Sequence, residues 1–385
     1  MPKTADRLTF FTESVIREMT RVSNQYGAIN LSQGFPDADP PPEVLAAGKR
    51  AMAEGPHQYA ITWGAPRFRE ALVKKQKYWM RLDLDPETQV VVTCGSTEAM
   101  MSAMMSACNP GDKVIIFSPY YENYGAVTIL SGAQPIYVPL QPPDFMFDPD
   151  ELRTAFAKNP KAIILCNPSN PSGKVFTQEE LEFIADLSKE HDTFVITDEV
   201  YEHIIYSPHC HRYMAALPEM FERTISCSSL SKTYNMTGWR LGYAIGPETV
   251  IAGARKVHDF LTVGAPAPLQ EAAATALELP LSYYEQLTAD YTRKRELFLA
   301  YLDEAGLSYT MPQGAYYVMV DCTAYGVKND REFCRWMAKE VGVAAVPGSS
   351  FFHEPVNHLI RLHFSRSEEI LAEIGKRLKK LKSLI

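Results

Sequence analysis

Ala162-Ile163-Ile164-Leu165-Cys166 and Phe194-Val195-Ile196-Thr197 are two short apolar runs with a helical stretch, Gln178–His191, between them. Strands this short and this uniformly apolar are buried on both faces, and a helix must carry the chain from one to the next. The same texture extends in both directions. Upstream it reads as helix Pro42–Glu54, strand Val90–Thr93, helix Thr97–Cys108, strand Lys113–Ser118 and strand Ile136–Pro139. Downstream come strands Thr224–Ser228 and Leu241–Ile245. The first helix opens on proline and stops at Gly55, as helix ends prefer. The expected fold class is α/β, with a mostly parallel sheet covered by helices.

After about residue 285 the pattern changes. A long helix near Tyr284–Ala305 precedes strands around Ala315–Val320, Val343–Val346 and Leu359–Phe364, then a closing helix. This is the signature of a smaller α+β unit. A chain of 385 residues is too long for one compact core. The expected division is a large domain over residues 46–284 and a small domain formed by 1–45 with 285–385.

The net charge of -8 argues against nucleic acid as the main partner. A basic run, Lys376-Arg377-Leu378-Lys379-Lys380-Leu381-Lys382, is interrupted by apolar residues at helical spacing, which fits a solvated helix face. Seven cysteines are scattered without CxxC spacing, as reduced thiols are. Charged and apolar residues alternate from Asp6 to Arg21, and no apolar run approaches membrane-spanning length. A soluble protein of the cytoplasm, with no membrane partner, is expected. No G-x-G-x-x-G follows the first strand and no G-x-x-x-x-G-K-[ST] occurs, which removes the usual dinucleotide and nucleoside triphosphate readings.

Five stretches sit after strands, where open α/β sheets place ligands. Ser229-Leu230-Ser231-Lys232 is followed by Gly238-Trp239-Arg240-Leu241-Gly242. A lysine in a restricted pocket can lose its proton and form an imine with an aldehyde. Ser229 and Arg240 beside it suit a phosphate. Taken alone, S-x-S-K is more often a surface lysine in a polar turn. Asp198, in Thr197-Asp198-Glu199-Val200-Tyr201, is either a helix cap or loop acid, or the anion that keeps a pyridine nitrogen protonated. Tyr201 could then donate to a phenolic ring oxygen. Asn167-Pro168-Ser169-Asn170-Pro171-Ser172-Gly173 is a rigid turn whatever the function, and Asn170 could also present its amide to a ligand. Gly95-Ser96-Thr97-Glu98 is a helix start, and the same free N–H groups form an anion site. Arg361 stands in an otherwise apolar strand, either as a structural ion-pair residue or as a clamp on a carboxylate.

The order and spacing of these stretches resemble the fold type I enzymes that use pyridoxal 5'-phosphate (PLP), and among them the class I aminotransferases. The resemblance spans nearly the whole chain. It runs from Leu31-Ser32-Gln33-Gly34-Phe35-Pro36-Asp37 through Tyr59, Gly64 and Asn109-Pro110-Gly111-Asp112 to Gln313-Gly314-Ala315-Tyr316-Tyr317 and Pro347-Gly348-Ser349. It is strongest to the branch that holds the kynurenine, glutamine-phenylpyruvate, methionine and archaeal aromatic aminotransferases. The resemblance implies that Lys232 binds the cofactor covalently and moves the proton, that Asp198 pairs with the ring nitrogen, and that Tyr201 and Asn170 donate to the ring oxygen. Ser96, Thr97, Ser229 and Arg240 are then phosphate ligands, and Tyr121 stacks on the ring. Tyr59 crosses a homodimer interface to the neighbour's phosphate. Arg361, helped by Gly34 and Asn170, binds the substrate carboxylate. Cis peptides at Asn170-Pro171 and Ser118-Pro119 are implied as well.

The activity implied is ping-pong amino transfer between an L-amino acid and a 2-oxo acid. Ile16, Phe35, Trp63 and Tyr124, with the partner's Tyr59, are expected to surround the substrate side chain. With no second arginine among them, aromatic, methionine-like or other large neutral side chains are favoured. The alternatives are an aspartate- or glutamate-preferring aminotransferase, and a C–S β-lyase on the same fold, which starts from the same carbanion. A non-enzymatic PLP or amino-acid sensor would need an added DNA-binding domain. His203, His209, Cys210 and His211 have metal-ligand residue types but read as an exposed loop, with no metal. Met100, Met101, Met104 and Met105 read as core packing.

Overall fold

The computed structural model describes residues 2–384. Its main sheet has eight strands in the spatial order Val90–Thr93, Gly242–Ile245, Thr224–Ser229, Phe194–Asp198, Ala162–Cys166, Lys113–Ser118, Gln134–Gln141 and Met146–Phe147. The five from Thr224–Ser229 to Gln134–Gln141 pair in parallel, while Gly242–Ile245 and Met146–Phe147 run antiparallel to their neighbours. Successive side chains of a strand point to opposite faces. Ile163 and Leu165 therefore enter one core, while Ala162 and Ile164 enter the other. Apolar residues at every position, rather than at alternate ones, are the consequence of having helices on both faces.

A second, antiparallel sheet is built from the C-terminal part, in the order Ser308–Tyr309, Tyr317–Asp321, Leu359–His363, Val346–Pro347. The 25-residue helix Leu281–Ala305 leads into it. Ile29–Asn30 pairs in parallel with Val343–Ala344, so the N-terminal segment joins this C-terminal part across the chain. The single strand expected at Val343–Val346 is in fact two. They serve different sheets and break at the buried Ala345.

Several helices escaped the sequence reading, among them Val15–Tyr26, Pro66–Trp79, Glu248–Thr262 and Ala267–Leu277. The first carried local signals. Ser14 caps its start by accepting from the Arg17 amide, and Gly27 ends it at φ 61°. The basic C-terminal run is not one helix face, because Glu368–Leu378 ends before Lys379 and a short turn of helix, Leu381–Leu384, follows. Among the methionines, Met100 and Met104 are buried, whereas Met105 is exposed. Ser118-Pro119 and Asn170-Pro171 are both cis. No helix among the described residues is long and apolar enough to cross a membrane.

Candidate active site

A cavity of about 470 Å³ lies past the C-terminal ends of the parallel strands. It is lined by Gly34, Ser96, Thr97, Tyr121, Tyr124, Asn170, Asp198, Tyr201, Ser229, Lys232, Arg240 and Arg361, together with Ile16 and Phe35. These residues come from segments up to 345 positions apart, from Ile16 to Arg361. Open α/β sheets gather ligand-binding loops at this edge.

One end of the cavity is an anion cradle. Helix Ser96–Ala107 starts there, so the free N–H groups of its first turn face the cavity with the dipole behind them. Arg240 closes the cradle in a left-handed conformation (φ 54°), its guanidinium held by the carbonyls of Thr237 (2.8 Å) and Cys94 (3.4 Å). Gly95 is required here. It has φ 85°, and a Cβ on it would lie 2.2 Å from an Arg240 guanidinium nitrogen. Glu98, the acid in this first turn, is drawn away from the cradle. One oxygen accepts from the Cys94 amide at 2.5 Å, and the other lies 2.6 Å from His258 Nδ1.

At the opposite wall Asp198 ends its strand only 6% exposed. Its Oδ2 accepts from the Tyr124 hydroxyl at 2.8 Å, and its Oδ1 from the Val200 amide at 3.4 Å. Burial raises its pKa above the usual carboxylate value, although the Tyr124 bond and the Lys232 charge oppose this. Such an acid is a fit for a cationic ring nitrogen, which would return the charge partner that burial removes. Tyr124 therefore has a task that the sequence did not reveal: its hydroxyl is committed to Asp198, and only its ring is left for a substrate. The Tyr201 and Tyr317 hydroxyls lie 2.9 Å apart.

Lys232 lies between the two ends. Its Nζ donates to the Gly34 carbonyl at 2.8 Å, an oxygen that also accepts from Tyr316 at 3.0 Å. Burial, then the charge of Arg361 and that of Arg240, push this amine down to about 8, while Asp198 opposes them. An amine so lowered is a nucleophile near neutral pH.

Arg361 is fully buried. Its guanidinium donates to Asn170 Oδ1 at 2.7 Å and to the Ser32 carbonyl at 2.5 Å, between the rings of Tyr317 (4.3 Å) and Phe351 (4.7 Å). Its Nε has no partner. A buried guanidinium with donors to spare and no acid bound to it is arranged to meet an anion.

One expected pocket residue lies elsewhere. Trp63 is not in the cavity lining and packs under Arg255, 5.0 Å from its guanidinium carbon. Tyr59, expected to enter a partner's site rather than its own, is 86% exposed and does not line this cavity. Conversely, Ser14, Arg17, Gln33, Ser231 and Tyr317 line the cavity without having been assigned a role. Arg17, next to Ile16, brings to the cavity an arginine that the sequence reading did not place there. The loop expected to be exposed at residues 203–211 is so at Cys210, but His203 is buried, its ring centroid 4.6 Å from those of Trp79 and Tyr284.

The model of the family described as aminotransferase class I and II matches residues 26–378. The chain belongs to that family. This aminotransferase is 37% identical to the methionine aminotransferase of Escherichia coli (strain K12), over 96% of each chain. It is 33% identical to kynurenine–oxoglutarate transaminase 1 of Homo sapiens, over 95% of each. Its fold matches that of N-succinyldiaminopimelate aminotransferase from Mycobacterium tuberculosis with a TM-score of 0.95 and 37% identity, covering 98% of this chain and all of that one. The aminotransferase is thus a fold type I transaminase of an amino acid and a 2-oxo acid.

Proposed function

We propose that this aminotransferase binds PLP in the cavity through Lys232 and exchanges amino groups between 2-oxo acids and L-amino acids with large, mainly apolar side chains. The observation that carries the reading is the convergence of four groups on one cavity: the Ser96 helix start with Arg240, the buried Asp198, the lowered amine of Lys232, and Arg361 with its free Nε. When bound, PLP supplies the carbonyl that takes up the amino group and the ring that draws electrons from the substrate Cα.

The protein's own tasks follow. Ser96, Thr97, Ser229 and Arg240 hold the phosphate, and Tyr121 covers a ring face. Asp198, whose carboxylate form the Tyr124 bond favours, would hold the ring nitrogen in its protonated form. Asn170 and Tyr201 donate to the ring oxygen. Arg361 fixes the substrate α-carboxylate, which brings the Cα–H bond over Lys232. Lys232 Nζ would take the proton from the substrate Cα and hold it for return. The large domain is residues 46–284, and residues 1–45 with 285–385 form the small domain that closes over the site and excludes water.

The working unit is a homodimer in which Tyr59 enters the partner's site. In the single chain Tyr59 projects into solvent, and its segment is tied to an equally exposed one. Thr62 bonds Asp259 at 3.4 Å, and Phe260 beside it is 92% exposed. All seven cysteines are free thiols, which suits a reducing cytoplasm. The relatives named above act on methionine, kynurenine and N-succinyldiaminopimelate, all with larger side chains than aspartate. A screen of kcat/KM across methionine, phenylalanine, kynurenine, glutamine, glutamate and aspartate, each with several 2-oxo acids, tests the reading. Large side chains should lead, and a hundredfold preference for aspartate would overturn the assignment.

A further inference from the structure

Four cationic side chains line the cavity, Lys232, Arg240, Arg361 and Arg17, against one aspartate and no glutamate. Three of the cations have tasks in the proposed reaction. Arg17 has none. Its side chain makes no hydrogen bond or ion pair among the described residues. The acids around it hold other cations: Glu13, which also feels the Arg17 charge, holds Arg21 through contacts of 2.7 and 3.0 Å, and Glu18 pairs with Arg335. Guanidinium groups that face a cavity without a partner are the usual means of meeting a carboxylate.

The position of Arg17 is held from the far side of the fold. Glu122, next to Tyr121, accepts from the Ser14 hydroxyl at 2.6 Å, the Val15 amide at 2.9 Å and the Ile16 amide at 3.3 Å. This fastens the first turn of helix Val15–Tyr26 to the cavity wall, and Arg17 is the next residue. Gln33 shares the rim. Its Oε1 accepts from the Thr20 hydroxyl at 3.3 Å, which leaves its N–H groups for an acceptor.

Depth sets the length of what Arg17 can meet. Arg361 is buried at the floor, whereas Arg17 is exposed at the mouth, and Ile16, Phe35 and Val200 supply apolar lining. With the α-carboxylate on the buried Arg361, an exposed Arg17 favours a side chain longer than the single methylene of aspartate. We infer that Arg17, with Gln33, binds a carboxylate at the far end of a long substrate side chain. The preferred donors are then apolar near Cα and anionic at the tip. This rests on the reading of Arg361 as the α-carboxylate anchor and deepens it.

The test compares L-2-aminosuberate, L-2-aminooctanoate and L-2,7-diaminoheptanoate, which share five side-chain methylenes and end in a carboxylate, a methyl group and an amine. The holoenzyme should prefer aminosuberate to aminooctanoate in kcat/KM by about tenfold or more, the worth of a charge-assisted bond. Arg17→Ala should lower that ratio by about tenfold, mainly through KM. Arg17→Glu should shift preference towards the diamine. An unchanged ratio in both variants, or a wild-type preference for aminooctanoate, would overturn the inference. Turnover of aminooctanoate by the wild type reports the underlying transaminase reading separately. If it is absent with every 2-oxo acid, that reading fails and the inference falls with it.

Discussion

Lys232 Nζ lies 2.8 Å from the carbonyl oxygen of Gly34, which ties the reactive amine to the N-terminal segment that also supplies Ser14, Ile16 and Arg17 to the cavity. A carbonyl orients an amine without giving it a proton. The amine is thus aimed by one residue and made less basic by others, namely the burial and positive charges that bring it to about 8.

The rate at which the apoprotein condenses with PLP should therefore rise with pH through about 8 and level off above it. Ordinary lysine would still be gaining reactivity at pH 10. The linkage has the same sign. Between about 8 and the ordinary lysine value of 10.5 the unfolded chain holds a proton that the folded apoprotein has lost, so this group's contribution to stability grows with pH across that window. Stopped-flow rates measured from pH 6 to 10 check it, and a midpoint near 10 would show that Lys232 is not lowered.

Tyr124→Phe should lower kcat roughly tenfold, the worth of one bond to a charged group. It should also move the acid limb of the pH–rate profile upwards. The Tyr124 bond lowers the Asp198 pKa, so its loss lets the carboxylate take a proton at higher pH. A uniform loss of rate at all pH values would mean that Tyr124 acts on something else.

Arg361→Lys should cut kcat/KM for every amino acid by about thirtyfold to a thousandfold, as the loss of a buried charged partner does. An ammonium cannot reproduce two bonds to Asn170 and Ser32 while stacked between two rings. Absorbance of bound PLP should be retained. Equal loss of cofactor would place Arg361 with the phosphate ligands instead.

Much of this arrangement was legible because it lies in contiguous stretches. The apolar strands set the parallel sheet, and loops such as Ser229–Lys232 and Gly95–Thr97 follow them directly. What was not legible depends on the fold bringing distant residues together. Arg17 becomes a cavity residue only when Glu122, 105 positions away, fastens its helix. Ser14 and Gly27 marked that helix, and reading it would have put Arg17 one residue past Ile16. Tyr124 looked like a pocket aromatic because nothing in Tyr121-Glu122-Asn123-Tyr124 signals that its hydroxyl meets Asp198. Trp63 failed for the opposite reason: a large ring expected in the pocket found Arg255 to pack on.

The exposed aromatic surface around Tyr59 and Phe260 should be covered in a dimer. Inactive Lys232→Ala chains mixed with Tyr59→Phe chains at limiting PLP should form hybrids with one intact site, because one chain supplies Lys232 and the other Tyr59. After subunit exchange, activity should exceed that of both parents and approach about a quarter of the wild-type value. Activity that never exceeds the sum of the parents would place Tyr59 outside the shared site.

The central claim is that Lys232 carries the cofactor and the proton. The direct measurement is borohydride reduction of the PLP-loaded protein, followed by mass spectrometry of its peptides, together with the turnover of Lys232→Ala. The result expected is a single pyridoxyl phosphate adduct on the peptide containing Lys232, and loss of turnover in a variant that still folds. An adduct on another lysine, or ordinary turnover without Lys232, would contradict it.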